Sequence, residues 1–261
     1  MELVQQTPNR SDFDVVLEGN ATPSFRMLLP ECVLAQGEPL VEGTHVLPGE
    51  WEVVGDSAHG TFDTPGMLGA RVCLEGQGQA VAVSITIRNR RSQALADVRV
   101  AVCVSPNHLP GAPDWCNTDF LPGLTLDRDV QGRHWFEKVT PAGLKALIGT
   151  EWVGMHPCPE AARADDVPKY SFQLSETDDA CACAVASADG RLLLFQAWAA
   201  PCFYCAPFPG NACMHLLPLV AEHLEPGEAA TVRGIIGMFP GNHEAFAHAV
   251  NAMLGGTVRD M

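Results

Sequence analysis

Two stretches of the chain repeat apolar residues with a strict period of two. Ala80 to Arg88 places Val81, Val83, Ile85 and Ile87 on one face and Ala82, Ser84 and Thr86 on the other. Val98 to Val104 does the same with Val98, Val100, Val102 and Val104. A side-chain period of two belongs to a strand with one face buried, and no helix satisfies it. The polar segment Asn89 to Ala96 between them predicts a turn, so the pair is expected as an antiparallel hairpin.

Other segments repeat the signal. Asp12 to Glu18, Trp51 to Val54, Arg133 to Val139, Tyr170 to Leu174 and Ala229 to Met238 all read as extended. Ala180 to Ser187 and Arg191 to Trp198 flank Asp189-Gly190, the strongest short hairpin signal in the chain. Glu225-Pro226-Gly227-Glu228 predicts a turn, while Glu31 to Pro48 reads as loop and Gly55 to Gly69 as turn-rich. Two helices are predicted. Thr140-Pro141 opens a short one carrying Leu144, Leu147 and Ile148 and stopped by Gly149. Asn242 caps another, with Phe246, Val250 and Leu254 four apart and Gly255-Gly256 as its stop. Many short strands without alternating βα units predict an all-β chain: a large antiparallel β-sandwich, supersandwich-like, with one or two short helices. No linker or repeat interrupts it, so residues 1–261 are expected to form a single β-sandwich domain.

The charge balance narrows the function. A formal net charge of −15 disfavours nucleic acid and anionic membrane surfaces, because both are bound through Lys and Arg. The first residues, MELVQQTPNRSDFDVV, have neither a basic n-region nor an apolar h-region. No apolar run approaches the roughly 20 residues of a membrane span, and the protein is expected in the cytoplasm. No glycine-rich phosphate loop and no Gly-x-Ser-x-Gly elbow is present. Ten cysteines in a chain of this length predict no disulfide framework, and Cys73, Cys103, Cys181 and Cys183 sit in strand-like runs as small buried thiols. His59 reads as a surface turn residue, and His243 and His248 as solvated helix positions.

Two constellations carry chemistry. The first is a zinc set. Cys202 and Cys205 form a Cys-x2-Cys pair, and Cys213 and His215, two apart on a strand, share a face, which supplies four tetrahedral ligands. The competing reading is a cysteine-rich loop packed under aromatics, or a redox-labile Cys202–Cys205 pair; no cofactor other than zinc is suggested. The second is the long connection between Pro106 and His134, continuing into Trp135, with His108, Asp114, Trp115, Asn117, Asp119 and Arg133. Aromatic faces cover the C–H side of a pyranose, and carboxylates and amides bind its hydroxyls. The bland alternative is that Trp115 and Trp135 fill the end of the sandwich and Asp114 and Asp119 make turns.

Two further segments, Asn89 to Val104 and Cys213 to Thr231 running into VRGIIGMF, resemble a loosely defined group of β-sandwich proteins that accompany carbohydrate-processing enzymes. In that group a Cys-x-His segment precedes a Pro-Gly-Glu turn and a final long strand, here Cys213, His215, Pro226, Gly227 and Glu228. The resemblance implies a sugar-related role and assigns no catalytic residue. The leading expectation is a sugar ligand where the Pro106–His134 and Trp198–His215 loops meet, bound or turned over there. Trp115, Trp135 and Trp198 would stack on it, Asp114, Asp119 and Arg133 would bind hydroxyls, and His108, Asp114, His134 and His215 would supply acid–base groups. The alternatives are a structural or hydrolytic zinc protein and a non-catalytic domain whose aromatic loop forms a homodimer contact.

Overall fold

The structure, a computed structural model, describes residues 1–6, 10–19, 25–40, 49–106, 144–148, 151–154, 172–173, 181–186, 191–205 and 214–260. Strands are numbered in chain order. The first sheet runs β1 (Glu2–Gln5), β2 (Asp12–Val16), β3 (Phe25–Ala35), β9 (Leu95–Pro106), β16 (Met214–Leu224), β15 (Cys202–Cys205) and β12 (Phe172–Gln173), with β4 (Glu38–Pro39) paired to β3. The second runs β11 (Glu151–Gly154), β10 (Leu144–Ile148), β13 (Cys181–Ala186), β14 (Leu192–Trp198), β17 (Ala229–Pro240), β8 (Ala80–Asn89), β7 (Leu68–Gln77), β6 (Ser57–Thr64) and β5 (Glu50–Val54). All their pairings are antiparallel. The all-β sandwich expected from the alternation is the architecture.

One apolar core lies between the sheets. Val98, Val100, Val102 and Val104 of β9 and Met214 and Leu216 of β16 meet Val81, Val83, Ile85 and Ile87 of β8 and Leu194 and Trp198 of β14. A second, smaller core covers the other side of the second sheet. There Leu193, Phe195 and Ala197 of β14 and Ile235 of β17 pack under Phe246, Val250 and Leu254 of helix α1 (His243–Asp260). The rings of Phe195 and Phe246 are 4.6 Å apart. Asn242 caps this helix as expected: its Oδ1 accepts the Ala245 N–H at 2.9 Å. Gly255 and Gly256 do not stop it, and the helix continues to Asp260. A glycine ends a helix only where it turns left-handed, and the helix runs on through both.

The two strands expected to flank Asp189-Gly190 do pair antiparallel, with Cys181 to Ala186 registered against Trp198 to Leu193, while Asp189-Gly190 itself lies outside the described residues. Four expectations change. Leu144 to Ile148 is a strand between β11 and β13, not a helix, because ladder pairing overrides the local preference of a short apolar run that fits either period. The loop expected from Glu31 begins inside β3, which is the partner of β9 and extends to Ala35. The turn-rich Gly55–Gly69 stretch contains β6, and the turn residue His59 pairs with Glu52 and Cys73 in its ladders.

The fourth change is the largest. β8 and β9 are not a hairpin: β8 pairs with β7 and β17, and β9 pairs with β3 and β16 in the opposite sheet. Both valine stripes do face the core, but toward one another across it. The chain therefore crosses between sheets at residues 90–94 and again at the Glu225–Glu228 turn, where Gly227 has φ of 84° and Glu228 N–H bonds Glu225 C=O at 3.0 Å. The two crossings lie against each other and are fastened by Asn89. The Asn89 N–H donates to Glu228 C=O and its C=O accepts from Gly227 N–H, both at 2.9 Å. Its side-chain amide donates to Gln93 C=O at 2.8 Å and Leu224 C=O at 2.9 Å, and its Oδ1 accepts the Arg91 N–H at 2.9 Å.

Candidate functional site

From Arg99 onward, alternation puts the odd residues of β9 on the face turned away from the core, yet they are buried and mostly polar: Arg99, Cys103 and Ser105, with Ala101 between them. On β16 the same face carries His215 and Leu217, both buried. The register aligns the site: Cys103 is opposite His215 on one side and Leu28 of β3 on the other. Between Leu28 and Cys32 the β3 ladder is irregular, and Glu31 stands in that interval. A bulge of this kind re-aims side chains. Here the outcome is a carboxylate oxygen, Glu31 Oε2, 3.2 Å from His215 Nε2. The potential ligand atoms of Glu31, Cys103 and His215 all lie within 4.8 Å of one another. His215 and Cys103 are 1% and 2% exposed, and the Glu31 side chain 13%.

Neighbouring charges are fixed. Arg99 donates from Nε to Asp97 Oδ1 at 2.7 Å and from Nη1 to Leu217 C=O at 3.3 Å. Arg26 Nε donates to Asp14 Oδ1 at 2.7 Å. From inside the sandwich, Gln196 of β14 reaches across to the opposite sheet. Its Nε2 donates to Met214 C=O at 2.8 Å and Val102 C=O at 3.4 Å, and its Oε1 accepts Trp198 Nε1–H at 3.1 Å. Met214 and Val102 are the residues immediately before His215 and Cys103, so Gln196 holds the backbone that carries both.

His108, Asp114, Trp115, Asp119, Arg133, His134, Trp135 and Cys213 lie outside the described residues. Trp198 is fully buried between the sheets beside Gln196, so its indole packs the core and offers no face for stacking. Cys202 is bonded to Cys181 as a disulfide joining β15 to β13, which removes its sulfur from the thiolates available to a metal. It also corrects the reading of Cys181 as a free thiol. Cys103 and Cys183 are buried and stand outside the disulfide, and Cys73 is only partly covered. Cys205 sits at the register position opposite His215. His215 is thus the one residue common to the sequence-derived zinc set and the assembled cluster; Glu31 and Cys103 were read as loop and core. Only the register between three strands could have brought them forward.

Cys183 illustrates how far burial governs chemistry beside this site. Desolvation pushes its thiol pKa far above the ordinary value of 9.0, against a smaller opposite pull from its hydrogen bonds to Gln196. The folded state therefore keeps this proton where the unfolded chain releases it. The stability tied to it is complete below pH 9 and declines as pH rises further, by up to about 1.4 kcal/mol per unit. Urea unfolding between pH 8 and pH 11 is expected to show this decline, and Cys183→Ala to flatten it; equal slopes in both proteins would refute the assignment.

No family model matches the chain, and no curated protein does. Solved structures do. A galactose mutarotase related enzyme from Lactobacillus acidophilus is 10% identical, with 85% of each chain covered and a TM-score of 0.38. A galactose mutarotase-like protein from Lactobacillus casei is 7% identical, covering 83% of this chain and 85% of that one, at 0.39. A polysaccharide lyase is 12% identical over 98% of this chain and 34% of its own, at 0.46. All three likenesses are at low identity and at TM-scores below 0.5. No residue role is carried across. Among the described residues, no helix is long and apolar enough to cross a membrane.

Proposed function

We propose that this chain binds and acts on a carbohydrate at the outer face of the first sheet, with His215 and Glu31 as its proton-transfer pair. The observation that carries the reading is the 3.2 Å contact between a buried imidazole and a largely buried carboxylate. Imidazole exchanges a proton near neutral pH, and an adjacent carboxylate orients the ring and sets its tautomer, which is what removal of a proton from a sugar hydroxyl requires. The substrate class follows the make-up of the segment between Pro106 and Trp135. Trp115 and Trp135 supply faces for a pyranose, Asp114, Asp119 and Arg133 supply hydroxyl partners, and His108 and His134 are further acid–base groups. It is also the class named for the neighbouring structures. The −15 charge suits a neutral ligand.

The test is a panel of free aldoses and short oligosaccharides, followed by calorimetry for binding and polarimetry for turnover. His215→Gln and Glu31→Gln are each expected to lower turnover by about 100-fold or more with an unchanged far-UV spectrum, the loss typical of a missing acid–base group. Asp114→Asn is expected to weaken binding. A panel without a single ligand, or full turnover in both dyad variants, rejects the reading.

A further inference from the structure

The dyad has a third member that proton transfer does not use. We propose that Glu31, Cys103 and His215 form a divalent transition-metal site, with zinc as the ion that the donor set selects. Each ligand comes from a different strand of one continuous ladder, β3, β9 and β16, so the backbone places all three. Zinc bonds of about 2.0 Å to nitrogen and oxygen and about 2.3 Å to sulfur require ligand atoms about 3.3 to 3.8 Å apart in a tetrahedron. Glu31 Oε2 and His215 Nε2 already stand 3.2 Å apart, and all three ligand atoms fit within 4.8 Å.

The chemistry of the donors chooses the metal. A thiolate beside an imidazole excludes magnesium and calcium, which take oxygen ligands, and suits zinc or cobalt. Three protein ligands leave one tetrahedral position, the arrangement of zinc sites that admit a further ligand. Glu31, the most exposed of the three, marks the side on which that position opens. The inference rests on the carbohydrate reading for the place and the bound molecule: with the metal present, His215 and Glu31 serve as its ligands in place of exchanging a proton with each other, and the open position takes an oxygen of the bound molecule. It differs from the zinc set drawn from sequence in every ligand but His215, since Cys202 is held in the disulfide.

The test is cobalt(II) titration of the full-length, chelator-treated protein, read by absorption. One equivalent is expected to give a thiolate-to-cobalt charge-transfer band together with intense tetrahedral d–d bands. Zinc is expected to displace both at one equivalent. Cys103→Ser is expected to lose the charge-transfer band, and Cys183→Ser, a buried thiol inside the sandwich, to keep it. Glu31→Gln is expected to bind cobalt more weakly by well over about 100-fold, beyond the about 10- to 100-fold of an outer-shell change, and this less buried substitution serves if Cys103→Ser does not fold. Absence of the band in the wild-type protein overturns the proposal, as does a band that survives Cys103→Ser, which would place the metal on other cysteines. The titration contains no sugar, so its failure leaves the carbohydrate reading standing. An empty sugar panel beside a full cobalt spectrum does the reverse.

Discussion

Replacing Asn89 by alanine is expected to lower the free energy of unfolding by about 3 kcal/mol, although the side chain lies outside the apolar core. Asn89 is completely buried, and its amide makes three hydrogen bonds at 2.8 to 2.9 Å that join the two crossings between sheets. Alanine leaves the buried Leu224 carbonyl without its partner, at a cost of about 1 to 3 kcal/mol, and the part-buried Gln93 carbonyl and Arg91 N–H lose theirs at a smaller cost of about 0.5 to 1 kcal/mol each. In a chain of 261 residues this is a fall in Tm on the order of 10 °C. Asn89→Asp is the sharper variant, because it keeps size and the acceptor but replaces the donor with a carboxylate facing two carbonyls. It is expected to be at least as damaging as alanine. Urea unfolding of both variants decides the matter, and a loss below about 1 kcal/mol in each would show that the crossings are held elsewhere.

The second large effect is expected at Gln196. Gln196→Leu preserves volume and raises hydrophobicity, so a view of the interior as simply apolar predicts a neutral or stabilised protein. The bonding predicts the opposite. Leucine removes the donor to Met214 C=O and Val102 C=O and the acceptor for Trp198 Nε1–H, all in the space between the sheets. Two groups with short bonds, the Met214 carbonyl and the Trp198 indole, then remain unsatisfied, at a cost of about 2 to 4 kcal/mol. The loss also frees the segments just before Cys103 and His215. At temperatures where the variant is still folded, the cobalt complex is expected to form about 10-fold more weakly, with its charge-transfer band retained, since every ligand remains. A stable Gln196→Leu protein with wild-type cobalt affinity would show that the amide positions nothing.

The period-two stripes at Val81–Ile87 and Val98–Val104 were legible because half-burial is a property of the strand itself. Alternation states which side chains go inward; it does not state which strand lies alongside. Two apolar faces are buried equally well side by side in one sheet or opposed across a sandwich, so the adjacency in sequence of β8 and β9 suggested a hairpin where the chain in fact changes sheets. The turn at Glu225–Glu228 and the cap at Asn242 were legible because those signals act over a few neighbouring residues. Leu144 to Ile148 was misread for the complementary reason: five apolar-rich residues have no period of their own, and the ladder decides.

The same division separates what was found at the site from what was missed. Near-neighbour spacing drew Cys202, Cys205, Cys213 and His215 together, because proximity along the chain is all that spacing measures. Proximity in space pairs Cys202 with Cys181 and sets His215 beside Glu31 and Cys103, residues 184 and 112 positions away by subtraction of their numbers. By itself, the sequence determined that this chain builds strands with one apolar face, where several of its turns and its last helix begin, and that its charge is acidic. Only the tertiary structure decided which strands are neighbours. A buried cluster drawn from three strands exists through register alone, and register is a long-range outcome of packing that no local segment encodes.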